Sequence, residues 1–143
     1  MMKKSILFSV LMSICVTMNA QNIVGTWKTI DDGTGQPKSH IQLYVENGKM
    51  YGKVIAFLSK DADINRVCDK CTDWRKNQKI MQMIVVRDME LKGDTWKNGK
   101  ILDPEKGKDY SCTMWFEPNK TDILKIRGWI GPFFRTQTWY RVP

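Results

Sequence analysis

The sequence has very little of what most enzyme active sites need. Histidine occurs once, at His40, which excludes most histidine-based metal sites. No stretch has the G-x-S-x-G pattern of a nucleophile elbow, a phosphate-binding glycine-rich loop, or the H-E-x-x-H pattern of zinc proteases. The carboxylates of the Asp31-Asp32-Gly33 and Asp103-Pro104-Glu105 stretches lie where turns are expected. The sequence therefore predicts no catalytic residues and no cofactor, and it favours a protein that is not an enzyme.

Long basic runs are also absent, although the formal net charge of the chain is +8. After the first twenty residues the longest such run is Arg75-Lys76, and other lysines alternate with acidic residues, as in "KDADINR" and "DPEKGKDY". Nucleic-acid binding needs basic side chains gathered in one patch or stripe. The mixed pattern is instead typical of an ordinary charged surface. No nucleic-acid partner is predicted.

One long apolar run lies near the start of the chain. Residues 6–16 follow two lysines and lead to small and polar residues that end at Ala20. This is the layout of a secretory signal peptide, and the run is shorter than the ~20 apolar residues that a membrane span needs. A lipid anchor at Cys15 is disfavoured by the bulky isoleucine before it. We therefore expect residues 1–20 to be cleaved and residues 21–143 to be exported, to the periplasm or outside the cell, without a transmembrane segment.

The rest of the chain is rich in short β-strand patterns. "SHIQLYVE" (39–46) alternates apolar and polar residues. Asn47-Gly48 follows as a strong hairpin signal, because both central residues of a type I′ turn need positive φ. Further strands are predicted over 24–30, 49–58, 79–90, 109–117, 121–130 and 133–142, with a short hairpin around Asn98-Gly99. Only Ile80 to Glu90 could instead form a helix.

About eight antiparallel strands with short connections predict a sandwich or a barrel. We favour one all-β domain over residues 21–143, a closed up-and-down barrel, because closure leaves no exposed strand edge. The first predicted strand opens with "GTW", Gly25 to Trp27, and the last one carries Arg141. In a closed barrel these two strands are neighbours. Arg141 can then cover Trp27 at the barrel floor, a contact of about 0.5–2 kcal/mol.

This pairing of G-x-W with a terminal arginine resembles the calycins, the superfamily of lipocalins and fatty-acid-binding proteins. A more specific resemblance covers nearly the whole predicted domain. "GTWKTIDDGTGQPKSHIQLY", "GKMYGKV", "CDKC", "GKILDPEKGKDY" and "LKIRGWIG…RTQTW" occur in this order and resemble an exported bacterial family called domain of unknown function 2147. One departure is Lys79 to Gln82, where such sequences tend to read Pro-Ile-x-Gly. The resemblance implies a calycin-like barrel and an exported protein, but no activity.

Three cysteines remain after the predicted cleavage: Cys68, Cys71 and Cys112. Disulfides persist in the compartments that exported proteins reach. A Cys68–Cys71 bridge would contribute roughly 2 kcal/mol by loop entropy, and a bridge from either one to Cys112 roughly 4 kcal/mol. The short bridge is favoured by proximity, and Cys112 is then the free thiol. The cysteine spacing also leaves open a zinc site that includes His40, and a reactive dithiol.

Arginine and tryptophan recur in the last two predicted strands. Arg127 alternates with Trp129 on one strand, and on the next Arg135 shares a face with Trp139 and Arg141. Pointing into the lumen, these residues would form a pocket for an amphiphile with a carboxylate or phosphate head group. Pointing outward, they would form a surface on which arginine stacks against tryptophan.

The leading hypothesis is a protein that binds a small amphipathic molecule in the barrel, such as a fatty acid, an isoprenoid or another envelope lipid. Arg127 and Arg135 are the candidates for the head group, and Tyr51, Trp115 and Trp129 for the apolar wall. The second hypothesis is an envelope interaction module with a side-chain-filled barrel, whose "CDKC" and "DPEKGK" loops bind a protein or a glycan. An enzyme with its active site in the lumen is the third hypothesis.

Overall fold

A computed structural model describes residues 23–143 and shows an all-β protein. Each strand pairs antiparallel with the next one along the chain, and the first pairs with the last, so the sheet closes into a barrel. The strands are β1 (Gly25–Ile30), β2 (Pro37–Glu46), β3 (Lys49–Phe57), β4 (Ile84–Lys92), β5 (Thr95–Asp103), β6 (Lys108–Phe116), β7 (Ile123–Ile130) and β8 (Phe133–Arg141). The predicted eight-stranded up-and-down barrel is confirmed. The predicted signal peptide lies outside the described residues.

The barrel closes between β1 and β8, where Trp27 lies opposite Arg141. The Trp27 side chain is fully buried, and its Nε1 donates to the carbonyl oxygen of Ile23 at 2.9 Å. The guanidinium carbon of Arg141 lies 4.4 Å from the centre of a Trp27 ring, within cation–π distance. Trp27 and Arg141 thus meet at the barrel closure, as their places at the two chain ends require.

Buried apolar side chains fill the middle of the barrel. The fully buried ones include Leu43, Met50, Met89, Met114 and Leu124. A ligand-sized cavity would leave part of these side chains accessible. A Cβ atom built on Gly99 would collide with the sulfur of Met89, so glycine allows this close approach. These five side chains therefore leave no room for a ligand among them, and binding of a small molecule elsewhere in the barrel stays a prediction.

The two Asn-Gly pairs have different structural roles. Asn47 and Gly48 both have positive φ and form the predicted hairpin turn between β2 and β3. Asn98-Gly99 is not a turn but lies inside β5, and the turn between β4 and β5 falls at Gly93-Asp94. The register with β6 shifts between Trp96 and Gly99. Asn98 has a φ of 64°, the kind of backbone conformation that a hairpin turn also needs. Here the Asn-Gly pair forms a β-bulge instead of a turn.

A long segment, residues 58–83, connects β3 to β4, and neither a strand nor a helix forms at Ile80. Cys68 and Cys71 form a disulfide inside it, with an S–S distance of 2.06 Å and a Cα–Cα distance of 5.5 Å. Both cysteines are buried. Among the described residues Cys112 is the free cysteine, and it is buried on β6. The predicted short disulfide is confirmed.

Candidate functional site

The outer side of β5 to β8 carries an unusual set of side chains. On β7, Leu124 and Ile126 are buried, and the alternation of a strand turns Arg127 and Trp129 to the opposite, outer side. The strand register places Trp129 between Ser111 of β6 and Phe134 of β8. We call this surface the aromatic–cationic face. It consists of Lys100, Ser111, Trp115, Arg127, Trp129 and Phe134.

Arg127 is surrounded by three aromatic rings of this face. Its guanidinium carbon lies 4.4 Å from the ring centre of Phe134, 5.0 Å from that of Trp115 and 5.8 Å from that of Trp129. Its Nε donates to Oγ1 of Thr136 at 3.0 Å. Arg127 forms no ion pair with any carboxylate among residues 23–143. The rings hold the guanidinium in place while its charge stays available to an anion.

A groove of about 570 Å³ borders the face at the end where β5 meets β6. Trp129 and Ile130 form an apolar part of its lining, and Lys100 and Lys108 contribute positive charge. Lys100 Nζ lies 3.2 Å from Oγ of Ser111. Within the described residues neither lysine has a carboxylate in ion-pair range. The groove therefore combines apolar surface with two uncompensated cations.

Residues 58–83, which we call the disulfide segment, form the opposite wall of the groove through Thr72, Asp73 and Arg75. Arg75 is only 3% exposed. Its Nη2 lies 2.6 Å from Oδ2 of Asp73 and 2.8 Å from Oδ2 of Asp109, which also accepts from Nη2 of Arg87 at 2.9 Å. This network ties the segment to the outer side of β6.

The network sets the protonation of its carboxylates. Hydrogen bonds from the Arg75 side chain and backbone lower the pKa of Asp73 to about 2. Burial raises the pKa of Asp109, but hydrogen bonds from Arg75 and Arg87 outweigh that effect and hold it below the usual value. Leu102 lies opposite Asp109 in the register and is only 4% exposed. The outer surface of β5 and β6 around Leu102 and Asp109 is therefore shielded from solvent.

The structure brings together three of the five predicted ligand residues. Arg127, Trp129 and Trp115 share the aromatic–cationic face. Arg135 does not, because it lies opposite Gly128 and so points to the other side of the sheet. The prediction of one head-group site for both arginines is therefore wrong. Arg135 instead pairs with Asp32 at 3.3 Å.

Tyr51 also lies apart from the face. It is on β3, where its hydroxyl donates to Oδ1 of Asp88 at 3.1 Å and its ring stacks on Tyr44. The role of Tyr51 in an apolar ligand wall stays a prediction, and the contacts of its side chain are with Asp88 and Tyr44, which are not part of the aromatic–cationic face. Sequence reasoning missed Phe134, Lys100 and Lys108. The Gly131-Pro132 turn was the signal that could have found Phe134, since a two-residue turn there sets Phe134 opposite Trp129.

Other kinds of site find little support in the part of the chain that the structure describes. No group of three or more His, Cys, Asp or Glu side chains in it is placed to hold a metal ion. Burial raises the pKa of the Cys112 thiol to about 12, so this cysteine is not a thiolate at neutral pH. In residues 23–143 no helix has the length and apolar character that crossing a bilayer requires.

Comparisons with known proteins support the fold and a family. No curated protein matches the chain. A solved structure, protein HP1028 from Helicobacter pylori, is described as belonging to the lipocalin family. It superimposes with a TM-score of 0.71 at 18% identity, over 84% of this chain and 82% of that chain. The superposition shows a shared lipocalin-like fold, and at this low identity it shows the fold alone. The model of one protein family also matches residues 25–141. The chain therefore belongs to the family described as "Uncharacterized protein conserved in bacteria (DUF2147)".

Proposed function

We propose that this protein is a non-enzymatic binding protein for a small anionic amphipathic molecule, held on the aromatic–cationic face and in the adjoining groove. The observation that carries the proposal is Arg127, whose charge lies among three aromatic rings without a carboxylate partner in residues 23–143. An arginine held in this way has its planar donors oriented before a ligand arrives, which lowers the entropic cost of binding.

The aromatic–cationic face and the groove together suit the two parts of such a ligand, since the two carboxylates in the groove lining, Asp73 and Asp109, are already paired with arginines. A carboxylate or phosphate would accept hydrogen bonds from Arg127, Lys100 or Lys108. An alkyl or isoprenoid chain would pack on Trp129 and Ile130. The volume of about 570 Å³ is in the range of small-molecule sites, roughly 300–1,000 Å³. A lipocalin-like fold is compatible with this class of ligand, although here the ligand lies outside the filled interior.

We test the proposal by titrating residues 21–143 with dodecyl phosphate below its micelle concentration, following tryptophan fluorescence. Arg127→Leu should weaken binding by roughly tenfold or more, because a hydrogen bond to a charged group contributes about 1.5–3 kcal/mol. Arg135→Leu is the matched control, since Arg135 lies on the same hairpin but faces away. Equal affinities for the two variants, or no saturable binding by the wild type, would contradict the proposal.

Export to the periplasm or the extracellular space belongs to the same proposal. The Cys68–Cys71 disulfide supports it, because such bonds are rare in the reducing cytosol. When the full 143-residue chain is expressed, the protein found outside the cytoplasm should have the mass of a polypeptide that begins at Gln21. An unprocessed chain that stays in the cytoplasm would contradict export.

A second candidate is an interaction module that binds a protein or a glycan through its loops. The buried side chains in the middle of the barrel favour it, since they leave the surface and the loops as places where a partner can bind. It differs from the first in predicting that no small molecule binds to Arg127.

A further inference from the structure

The tip of the β7–β8 hairpin is apolar and exposed. Phe133 is 77% exposed, Phe134 55% and Ile130 49%, and Gly131-Pro132 forms the turn. Phe133 and Phe134 are adjacent on a strand, so they point to opposite sides of the hairpin. The tip thus presents apolar side chains on both sides. A flat protein surface would cover only one of them.

A second exposed aromatic side chain lies across the groove from this tip. Trp74 is 75% exposed, and its neighbours Asp73 and Arg75 line the same groove as Ile130 and Gly131. Two exposed aromatic features therefore flank one groove, at the end of the barrel that carries the disulfide segment.

Side chains of both charges line the groove between these two features, and the carboxylates of Asp73 and Asp109 are paired with Arg75. Lys100, Lys108 and Arg127 have no carboxylate partner among residues 23–143. The described residues contain 21 Lys and Arg and 15 Asp and Glu, a net charge of 21 − 15 = +6, since the two lysines of residues 1–22 are excluded. The three cations without a carboxylate partner, in a chain of net positive charge, favour an anionic partner for this end of the barrel.

We propose that this end of the barrel docks on an anionic lipid bilayer, with Phe133 and Trp74 inserted at the interface and the three cations at lipid phosphates. Aromatic rings are favoured at the level of the lipid head groups, and basic side chains are attracted to anionic lipids. A bilayer surrounds an inserted tip, which fits a hairpin that is apolar on both sides. The docking extends the proposed function, because it turns the groove toward a source of amphipathic ligand.

Vesicle co-sedimentation tests the docking. Residues 21–143 should bind vesicles of phosphatidylglycerol and phosphatidylcholine in equal parts, and should bind pure phosphatidylcholine much less. Added salt should weaken the binding. Phe133→Ser and Trp74→Ser should each lower the partition coefficient by about tenfold, since each removes one aromatic side chain that would be inserted at the bilayer interface. Tyr140→Ser is the control, because Tyr140 is an exposed aromatic residue at the opposite end of β8.

Melting temperatures of the variants show whether they fold. No binding of the folded wild type to anionic vesicles, or equal binding by folded Phe133→Ser, would overturn the proposal and leave the hairpin as a contact for another protein. The dodecyl phosphate titration separates the two proposals, because it uses no bilayer. Phe133→Ser should keep that binding. Binding to anionic vesicles without binding of dodecyl phosphate would refute the ligand proposal alone. Binding of dodecyl phosphate without binding to anionic vesicles would refute the docking proposal alone.

Discussion

The buried ion network under the disulfide segment gives the most quantitative prediction. Arg75 is almost fully buried and bonds to both Asp73 and Asp109. Arg75→Met keeps the approximate volume of the side chain and removes its charge. The variant leaves Asp109, whose side chain is 24% exposed, with Arg87 as its remaining cation. The segment that forms one wall of the groove then loses its strongest polar tie to the barrel.

The magnitude follows from burial. Removing one partner of a fully buried ion pair costs about 3–5 kcal/mol. Arg87 still compensates Asp109, and Asp73 is partly exposed, so we expect the lower end, about 3 kcal/mol. Arg87→Met is the matched control. Its side chain is 32% exposed, and an exposed pair contributes about 1 kcal/mol or less.

Urea denaturation measures both free energies of unfolding. With an m-value of about 1.5 kcal/mol per molar, 3 kcal/mol lowers the midpoint by about 2 M. A double-mutant cycle of Arg75→Met with Asp109→Asn should give a coupling energy on the order of 1–3 kcal/mol. A loss below about 1 kcal/mol for Arg75→Met, or a loss equal to that of Arg87→Met, would show that the segment does not depend on this network.

Two further predictions concern the same segment. The pKa of Asp73 is about 2 in the folded protein against an ordinary value of 3.8, so its contribution to stability is present above pH 3.8 and is lost as the pH falls toward 2. Asp73→Asn should flatten the fall in urea midpoint between about pH 4 and 2, and an unchanged fall would refute this. Gln82 has a φ of 69°, in the left-handed region where a side chain is strained. Gln82→Gly removes this strain but also increases the entropy of the unfolded chain. We therefore expect a net rise in the free energy of unfolding of about 0.5–1 kcal/mol. Gln78→Gly should lower it, and a lower melting temperature for Gln82→Gly would contradict the assignment.

The barrel could be predicted because most of its signals are local and one joins the first strand to the last. Alternation along β2, the Asn47-Gly48 turn and the placement of Trp27 and Arg141 at the two chain ends all point to a closed antiparallel sheet. Asn98-Gly99 could not be read correctly, because a turn and a bulge need the same positive φ. Only the pairing with β6 distinguishes the two.

The candidate site was predictable only in part. Arg127 and Trp129 are two residues apart on one strand, so the sequence predicts that they share a side of the sheet. Whether that side is the inside or the outside of the barrel is decided by the burial of Leu124 and Ile126 on the other side. Arg135 was misplaced because hairpin register, not sequence spacing, decides which residues of two strands lie side by side. The lysines of the groove come from distant parts of the chain, and no local pattern connects them to Trp129.

Native mass spectrometry tests the central claim most directly. Residues 21–143 are purified from an oxidising compartment as wild type, Arg127→Leu and Arg135→Leu, and each native mass is compared with the denatured mass. We predict that the wild type and Arg135→Leu carry an additional anionic amphiphile of a few hundred daltons that is released on denaturation, and that Arg127→Leu does not. A wild-type native mass equal to that of the disulfide-bonded polypeptide alone would contradict the claim.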